Sequence, residues 1–125
     1  MSGKRYFLDT NAIISILKGD STLLSLLHEA DYIATSIICE LEFLSFPALS
    51  EQDAHLFKQL LSQIEVIDLT SNNPLFKQHI IQIRSTKKIK LPDAIIVATA
   101  IQTNCLLLTN DQQLLALPEI ETRSF

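Results

Sequence analysis

The stretch Arg5-Tyr6-Phe7-Leu8-Asp9-Thr10-Asn11 joins a short apolar run to three small polar residues. A short apolar run of this kind is typical of a strand in the interior of a parallel sheet. The three polar residues are common at helix N-caps, and the apolar run 12–17 that follows can form a helix. The stretch therefore predicts a strand that passes directly into a helix, with Asp9 at the carboxyl end of the strand.

The same alternation of short apolar strands and helical segments continues along the chain. Strands are predicted at 5–8, 32–34, 65–69 and 105–108, with an edge strand at 121–124. Helices are predicted at 12–17, 21–30, 37–44, 51–64, 74–84 and 94–102, with a short helix that starts at Asp111. This order predicts an α/β fold with a central parallel sheet of four to five short strands, flanked by helices on both faces.

The length and composition favour a single domain. A chain of 125 residues can bury a real core, and 47% of its residues are hydrophobic, which also predicts an apolar surface used for assembly. No apolar run reaches the roughly 18 residues that a membrane helix needs. The N-terminal stretch 1–5 is followed by only a few apolar residues before Asp9, too few for a secretory signal. We therefore expect a cytoplasmic protein with no membrane contact.

The net charge of −4 gives no general surface for nucleic acid, but the basic residues are unevenly distributed. Four of the ten fall in one short stretch: Arg84, Lys87, Lys88 and Lys90. This basic stretch is either a solvated helix end, where cations are favoured, or a contact for phosphate groups.

Three acids are expected at the carboxyl edge of the sheet, where ligands bind in open α/β folds. Asp9 follows the first strand, Asp111 follows the fourth, and Asp93 opens the helix that leads into the fourth strand. Each could simply cap a helix, although a capping carboxylate can also bind a metal. For a fourth acid, helical periodicity does not decide between Glu40 and Glu42, because they flank the apolar stripe on opposite sides.

Carboxylates that converge on one point require a cation. Two like charges about 4 Å apart repel by several kcal/mol in a protein cleft, and without a metal some of the acids would have raised pKa values. Cys39 and Cys105 form no CxxC pair, and we expect them to be buried thiols; the histidines lack zinc-site spacings. Oxygen ligands alone favour Mg²⁺ or Mn²⁺, which assist phosphodiester hydrolysis.

Four segments together resemble the motifs of one known family, in order and in spacing. They are LDTN at 8–11, TSIICELE at 35–42, LPDAIIVATA at 91–100 and LTND at 108–111. The family is that of PIN-domain ribonucleases, and within it the chain looks like a VapC-type toxin of a type II toxin–antitoxin system. The resemblance covers nearly the whole chain and implies one PIN domain over residues 1–125, with a PIN-like α/β fold.

The resemblance also implies the site. Its catalytic residues, which are also the metal ligands, would be Asp9, Glu40, Asp93 and Asp111. It selects Glu40 over Glu42, as the first Glu of the ELE segment. Asn11 and Thr109 match polar residues that orient the acids and the attacking water, and the basic stretch would guide the RNA. One or two Mg²⁺ or Mn²⁺ ions would assist hydrolysis of an RNA phosphodiester, leaving 5′-phosphate and 3′-hydroxyl ends.

The partners implied by the resemblance are an RNA substrate, a small antitoxin protein and a second copy of the chain. The apolar helices between Ser36 and Ile64 are the candidates for the protein contacts, although most of their residues can equally line the core. A housekeeping PIN nuclease without an antitoxin stays open. So does a non-catalytic RNA- or protein-binding module on a PIN fold, although such a module would not need the four acids.

The chain lacks the residues that other α/β classes require. Gly3 and Gly19 are the only glycines, so the glycine-rich turns of dinucleotide-binding and P-loop proteins are missing. A receiver domain needs paired acids after the first strand and a lysine near the last. A haloacid-dehalogenase-like phosphatase needs Asp-x-Asp where this chain has Asp9-Thr10-Asn11.

Overall fold

Five parallel strands form the central sheet of the computed structural model, which describes residues 3–125. The strands are β1 (Arg5–Leu8), β2 (Tyr32–Ser36), β3 (Glu65–Ile67), β4 (Leu106–Leu108) and β5 (Thr122–Arg123). They lie in the order β3-β2-β1-β4-β5, and each neighbouring pair is parallel. The predicted α/β fold is confirmed, and the last strand lies at an edge as expected. Met1 and Ser2, which belong to the stretch considered for a secretory signal, lie outside the described residues.

Seven helices connect the strands within residues 3–125. They are α1 (Thr10–Leu17), α2 (Ser21–His28), α3 (Ile37–Leu44), α4 (Glu51–Leu61), α5 (Pro74–Lys87), α6 (Leu91–Gln102) and α7 (Gln112–Leu115). The helix starts agree with the predicted caps, with one revision that affects the site. Helix α6 begins at Leu91, because Pro92 fits the first turn of a helix, where its missing N–H would have no partner. Asp93 is therefore the third residue of α6 and not its cap.

Strand β1 lies in the middle of the sheet and is covered on both faces. Successive side chains of a strand point to opposite faces, and Tyr6, Phe7 and Leu8 are all 6% exposed or less. Leu107 and Leu108 of β4 are fully buried in the same way. A parallel sheet that is buried on both faces must have helices on both sides, as the sequence predicts.

Helix α6 is the most deeply buried helix of the described chain. Every residue from Ala94 to Ala100 is buried, so the helix is enclosed around its whole circumference. It packs against α5, α3 and β4. This enclosure fixes the first turn of α6, and with it Asp93, relative to the sheet.

Two further expectations concern the cysteines and the membrane. Cys39 and Cys105 are free and buried, as predicted for thiols in a core. Within residues 3–125, no helix combines the length and the apolar character that crossing a membrane requires.

The core predicts a clear contrast between two leucine substitutions. Leu108→Ala should lower the free energy of unfolding by about 2–5 kcal/mol, because it leaves a cavity at a fully buried position. Leu75→Ala removes a side chain that is 78% exposed and should change it by no more than about 0.5 kcal/mol. Urea unfolding measures both values. Equal losses would contradict the packing described here.

Candidate active site

The candidate site lies at the carboxyl edge of the sheet, where β1 and β4 end side by side. The two strands are in register through Leu8 and Leu108. The Asp9 N–H donates to the Leu108 carbonyl at 3.2 Å, so the pairing continues one residue beyond β1. Asp9 is the N-cap of α1, and Asp111 is the N-cap of α7. Strand pairing therefore brings two of the predicted acids to the same edge.

Asp9 is buried, and both of its carboxylate oxygens accept hydrogen bonds. Oδ1 accepts from the Thr10 N–H at 2.8 Å. Oδ2 accepts from the Thr109 hydroxyl at 2.7 Å and from the Asn11 side-chain amide at 3.4 Å. Burial raises the pKa of Asp9, while the bonds from Thr109 and Thr10 act in the opposite direction. Asn11 and Thr109, both named from the sequence, are thus the side chains that orient this carboxylate.

Asp111 uses one carboxylate oxygen as a helix cap. Its Oδ1 accepts from the N–H groups of Gln113 and Leu114 at 2.9 and 3.3 Å. Its own N–H donates to the Thr109 hydroxyl at 3.0 Å, so one threonine side chain contacts both Asp9 and Asp111. Because both capping bonds go to Oδ1, Oδ2 is left for a cation, and the capping and metal-binding roles are compatible.

Asp93 lies within electrostatic reach of the other acids. The N-cap of α6 is Lys90, which makes no side-chain capping bond. The pKa of Asp93 is raised to about 6, first by burial and then by the negative charges of Asp111, Asp9 and Glu42; Lys90 lowers it. Asp111, Asp9 and Glu42 therefore lie near enough to Asp93 for their charges to act on it.

Glu42, and not Glu40, is the acid of α3 that belongs to this group. The Glu42 Oε1 accepts from the Thr10 hydroxyl at 2.8 Å. Its charge contributes to the raised pKa values of both Asp9 and Asp93. Glu40 instead lines a groove of about 470 Å³ between α3 and α4. The structure thus corrects the choice of Glu40.

The correction follows from which face of α3 is buried. The sequence suggests an apolar stripe that includes Leu41 and Leu44, yet these two are 55% and 46% exposed. The buried residues of α3 are Cys39 and Phe43. Glu42 is one turn from Cys39 and adjacent to Phe43, so it lies beside the buried face. Residues two apart on a helix point about 200° apart, which directs Glu40 away from the site.

Thr10 is the site residue that the sequence reasoning missed. Its N–H donates to Asp9 and its hydroxyl donates to Glu42, so it connects two acids from different elements. The only signal in the sequence is its position directly after Asp9, in the first turn of α1. That position by itself indicates only a helix cap.

The basic stretch divides into residues with different roles. Arg84 and Lys87 lie in the last turn of α5, and Lys87 forms a salt bridge with Glu119. Lys88 ends that helix in the left-handed conformation, with φ of 55°. Lys90 is the cation whose charge acts on Asp93. The helix-end interpretation therefore fits the first three, and Lys90 alone is placed beside the acids.

The chemistry of the four carboxylates fits a hard divalent cation. They offer only oxygen donors, and neither of the salt bridges within residues 3–125 involves them. Their mutual repulsion is relieved when a cation lies between them, and oxygen ligands favour Mg²⁺ or Mn²⁺. No three His, Cys, Asp or Glu side chains of the described residues are arranged closely enough to form a ready metal-binding group.

The chain belongs to the PIN domain family, whose model matches residues 6–120. Its fold is also that of solved toxin–antitoxin structures. VapBC2 from Rickettsia felis, bound to a DNA fragment from their promoter, is 24% identical with a TM-score of 0.79, covering 97% of this chain and 98% of that chain. A toxin–antitoxin complex from Klebsiella pneumoniae is 26% identical, with a TM-score of 0.74 and coverage of 90% and 92%. VapBC-1 from nontypeable Haemophilus influenzae is 21% identical, with a TM-score of 0.78 and coverage of 96% and 97%. No curated protein matches the chain at a significant level.

The raised pKa of Asp93 predicts a pH dependence of stability. Between the ordinary value of 3.8 and about 6, the folded protein binds more protons than the unfolded chain, so stability falls as the pH rises. In EDTA, the free energy of unfolding of the wild type should therefore fall relative to that of Asp93→Asn across this range. Denaturant unfolding at a series of pH values measures the difference.

The control is Asp53→Asn, which removes an exposed acid of α4 and should retain the wild-type dependence of stability on pH. A constant difference between wild type and Asp93→Asn would contradict the electrostatics.

Proposed function

We propose that this PIN domain is a metal-dependent endoribonuclease and the toxin of a toxin–antitoxin pair. The observation that carries the proposal is the placement of the acids at one edge of the sheet: Thr109 contacts both Asp9 and Asp111, and Thr10 contacts both Asp9 and Glu42. Burial and the charges of these three acids raise the pKa of Asp93 beside them. A fold has no structural need to hold four acids together, since the arrangement costs free energy in the absence of a cation. Metal-dependent nuclease chemistry requires such a group of acids, because they bind the divalent cation.

The acids would hold one or two Mg²⁺ or Mn²⁺ ions, through Asp9, Glu42, Asp93 and Asp111. When bound, such an ion lowers the pKa of a water molecule and neutralises the charge of a scissile phosphate. With Glu42 in place of Glu40, this ligand set is the one predicted from the sequence. The oxygens that accept no capping bond, such as Oδ2 of Asp111, are the natural contacts.

The chain's own residues orient the acids before substrate arrives. Thr109 and Asn11 hold the Asp9 carboxylate, and Thr10 holds Glu42. Groups that are already oriented need little reorganisation during a reaction, which is a large part of how enzymes stabilise developing charge. Asp93, with a pKa of about 6, is mostly ionised at neutral pH. Four negative charges would repel an RNA phosphate, so cleavage should depend strictly on the divalent cation.

RNA is proposed as the substrate because the four sequence motifs resemble those of PIN-domain ribonucleases. Exposed loops of structured RNA are the expected targets, since their unstacked bases and backbone can enter an open site. Single-stranded DNA of the same sequence is the natural comparison in a cleavage assay. Cleavage of the DNA and not of the RNA would show that RNA is the wrong substrate.

An antitoxin and a second copy of the chain are the proposed protein partners. Support comes from the likeness to the VapBC structures and from exposed apolar residues on and after α3, of which Leu41, Leu44 and Phe46 are 55%, 46% and 41% exposed. Leu44 also lines the groove between α3 and α4, together with Glu40. The predicted role of the segment 36–64 in partner contacts is therefore kept as part of the proposal.

Cleavage of a structured RNA tests the function and the corrected residue together. The wild type should cleave with Mg²⁺ or Mn²⁺ and not with EDTA, and the products should carry 5′-phosphate ends. Glu42→Gln and Asp93→Asn should each lower kcat/KM by at least about 100-fold, since even outer contacts of a metal site contribute 10–100-fold. Glu40→Gln, the matched control on the same helix, should cleave like the wild type.

Three outcomes of that experiment would overturn the proposal. Cleavage by the wild type in EDTA would exclude the metal. A cyclic-phosphate product would exclude direct hydrolysis by water. RNA binding without cleavage at any metal concentration would favour the non-catalytic binding module. If Glu40→Gln and Glu42→Gln lowered kcat/KM equally, the proposed nuclease activity would stand but the assignment of Glu42 would be refuted.

Lys90 and Lys87 should differ in their contribution to RNA binding. Lys90 lies beside the acids, whereas the Lys87 ammonium is occupied by Glu119. Lys90→Ala should therefore weaken RNA binding and reduce the slope of log K against log salt by about 0.7, the value for one single-strand phosphate contact. Lys87→Ala should leave the slope unchanged. Fluorescence anisotropy at several salt concentrations, in Ca²⁺ to suppress cleavage, measures both slopes. A larger change for Lys87→Ala would contradict the placement.

A further inference from the structure

Asn110 lies between two site residues, yet its side chain is bonded to the last residue of the chain. Its Oδ1 accepts from the Phe125 N–H at 3.0 Å, and its Nδ2 donates to the Phe125 carbonyl at 3.2 Å. An amide side chain that pairs with both polar groups of one residue imitates a neighbouring strand. The pair therefore extends the ladder between β4 and β5 beyond its last backbone bond, from the Thr109 N–H to the Arg123 carbonyl at 3.1 Å.

The backbone N–H of Asn110, unlike its side chain, points towards the candidate active site. Its N–H donates to the Asn11 Oδ1 at 3.1 Å. The Asn11 amide in turn contacts the Asp9 Oδ2 at 3.4 Å. Asp111 is the next residue in the chain. A continuous path of hydrogen bonds and one peptide unit therefore runs from the main chain of Phe125 to two of the acids.

Both ends of this path are fixed. The side chain of Phe125 is partly buried and packs against the hydrophobic core. At the other end, Thr109 is fully buried and bonded to Asp9. Asn110 itself is exposed, and β5 has only two residues to hold the edge of the sheet. The Asn110–Phe125 pair thus adds a hold on the segment 109–111 from the edge of the sheet, beside the bonds that Thr109 and Asp111 make themselves.

We propose that Asn110 is a positioning residue, which fixes Asp111 through the main chain of Phe125 and so sets the affinity of the site for a divalent cation. Its side chain faces Phe125 and contacts none of the acids, so it acts through Asp111 and Asn11. The second half of the statement rests on the proposed function, because the cation site belongs to it. A role limited to closing the edge of the sheet is the competing explanation, and it predicts no change at Asp111.

The first test measures Mn²⁺ affinity by calorimetry on the full chain. Asn110→Ala should bind Mn²⁺ about tenfold more weakly than the wild type, the lower end of the range for residues that support a ligand from outside. Asn72→Ala is the matched control, because Asn72 is also exposed and lies in a turn far along the chain from the site. It should bind Mn²⁺ like the wild type. Equal affinities for Asn110→Ala and the wild type would overturn the proposal while leaving the proposed function intact.

The second test uses no metal. Amide hydrogen exchange in EDTA should become faster at Phe125 and at Asp111 in Asn110→Ala, whereas the Leu107 N–H, bonded to the Glu121 carbonyl at 2.9 Å, should be unaffected. Faster exchange at Phe125 alone would show that Asn110 only closes the edge of the sheet. If the wild type bound no Mn²⁺, the proposed function would be wrong, and the exchange at Asp111 would still decide whether Asn110 fixes that residue.

Discussion

The pairing of β1 with β4 is the constraint on which the rest of the site depends. Leu8 lies opposite Leu108, and the next backbone bond joins Asp9 to that same residue. A slip of one residue would turn every side chain of β1 to the other face of the sheet. It would also separate Asp9 from the Thr109 hydroxyl. The geometry of the acids is therefore a consequence of the register that the hydrophobic core enforces, and chemistry and packing cannot be separated at this edge.

Holding four carboxylates together opposes the stability of the fold. Hydrogen bonds from Thr109 and Thr10 offset part of the cost at Asp9, since they favour its charged form. Among the described residues no hydrogen bond to the Asp93 carboxylate offsets this cost, and burial and the neighbouring negative charges raise its pKa to about 6. The four acids therefore differ in how far the fold supports their charged forms. The scaffold orients Asp9, Glu42 and Asp111 through hydrogen bonds, and it leaves Asp93 as the acid that gains most from a cation.

Much of the fold and of the candidate site could be predicted from the sequence, because strands and helix caps have local signatures. Asp9 and Asp111 follow apolar strands, so their edge of the sheet can be inferred from the chain alone. Glu42 could not be chosen in that way, because the buried face of α3 depends on how the helix packs against α1 and α6. The pairing of Asn110 with Phe125 joins residues 15 apart through a side chain and has no local signature. Local pattern therefore fixes the position of an acid along the chain, whereas tertiary packing decides the direction in which it points.

Helix α6 joins the core and the site in a further sense. Ala94, Ala98 and Ala100 are completely buried, so neighbouring elements approach this helix closely. An added methylene at such positions has no space to occupy and must displace the helix, at a typical cost of about 1–3 kcal/mol. The displaced helix would carry Asp93 with it. A library of random variants screened for activity alone would thus also be screened for interior volume, and tolerance to mutation in α6 should be low throughout the buried run from Ala94 to Ala100.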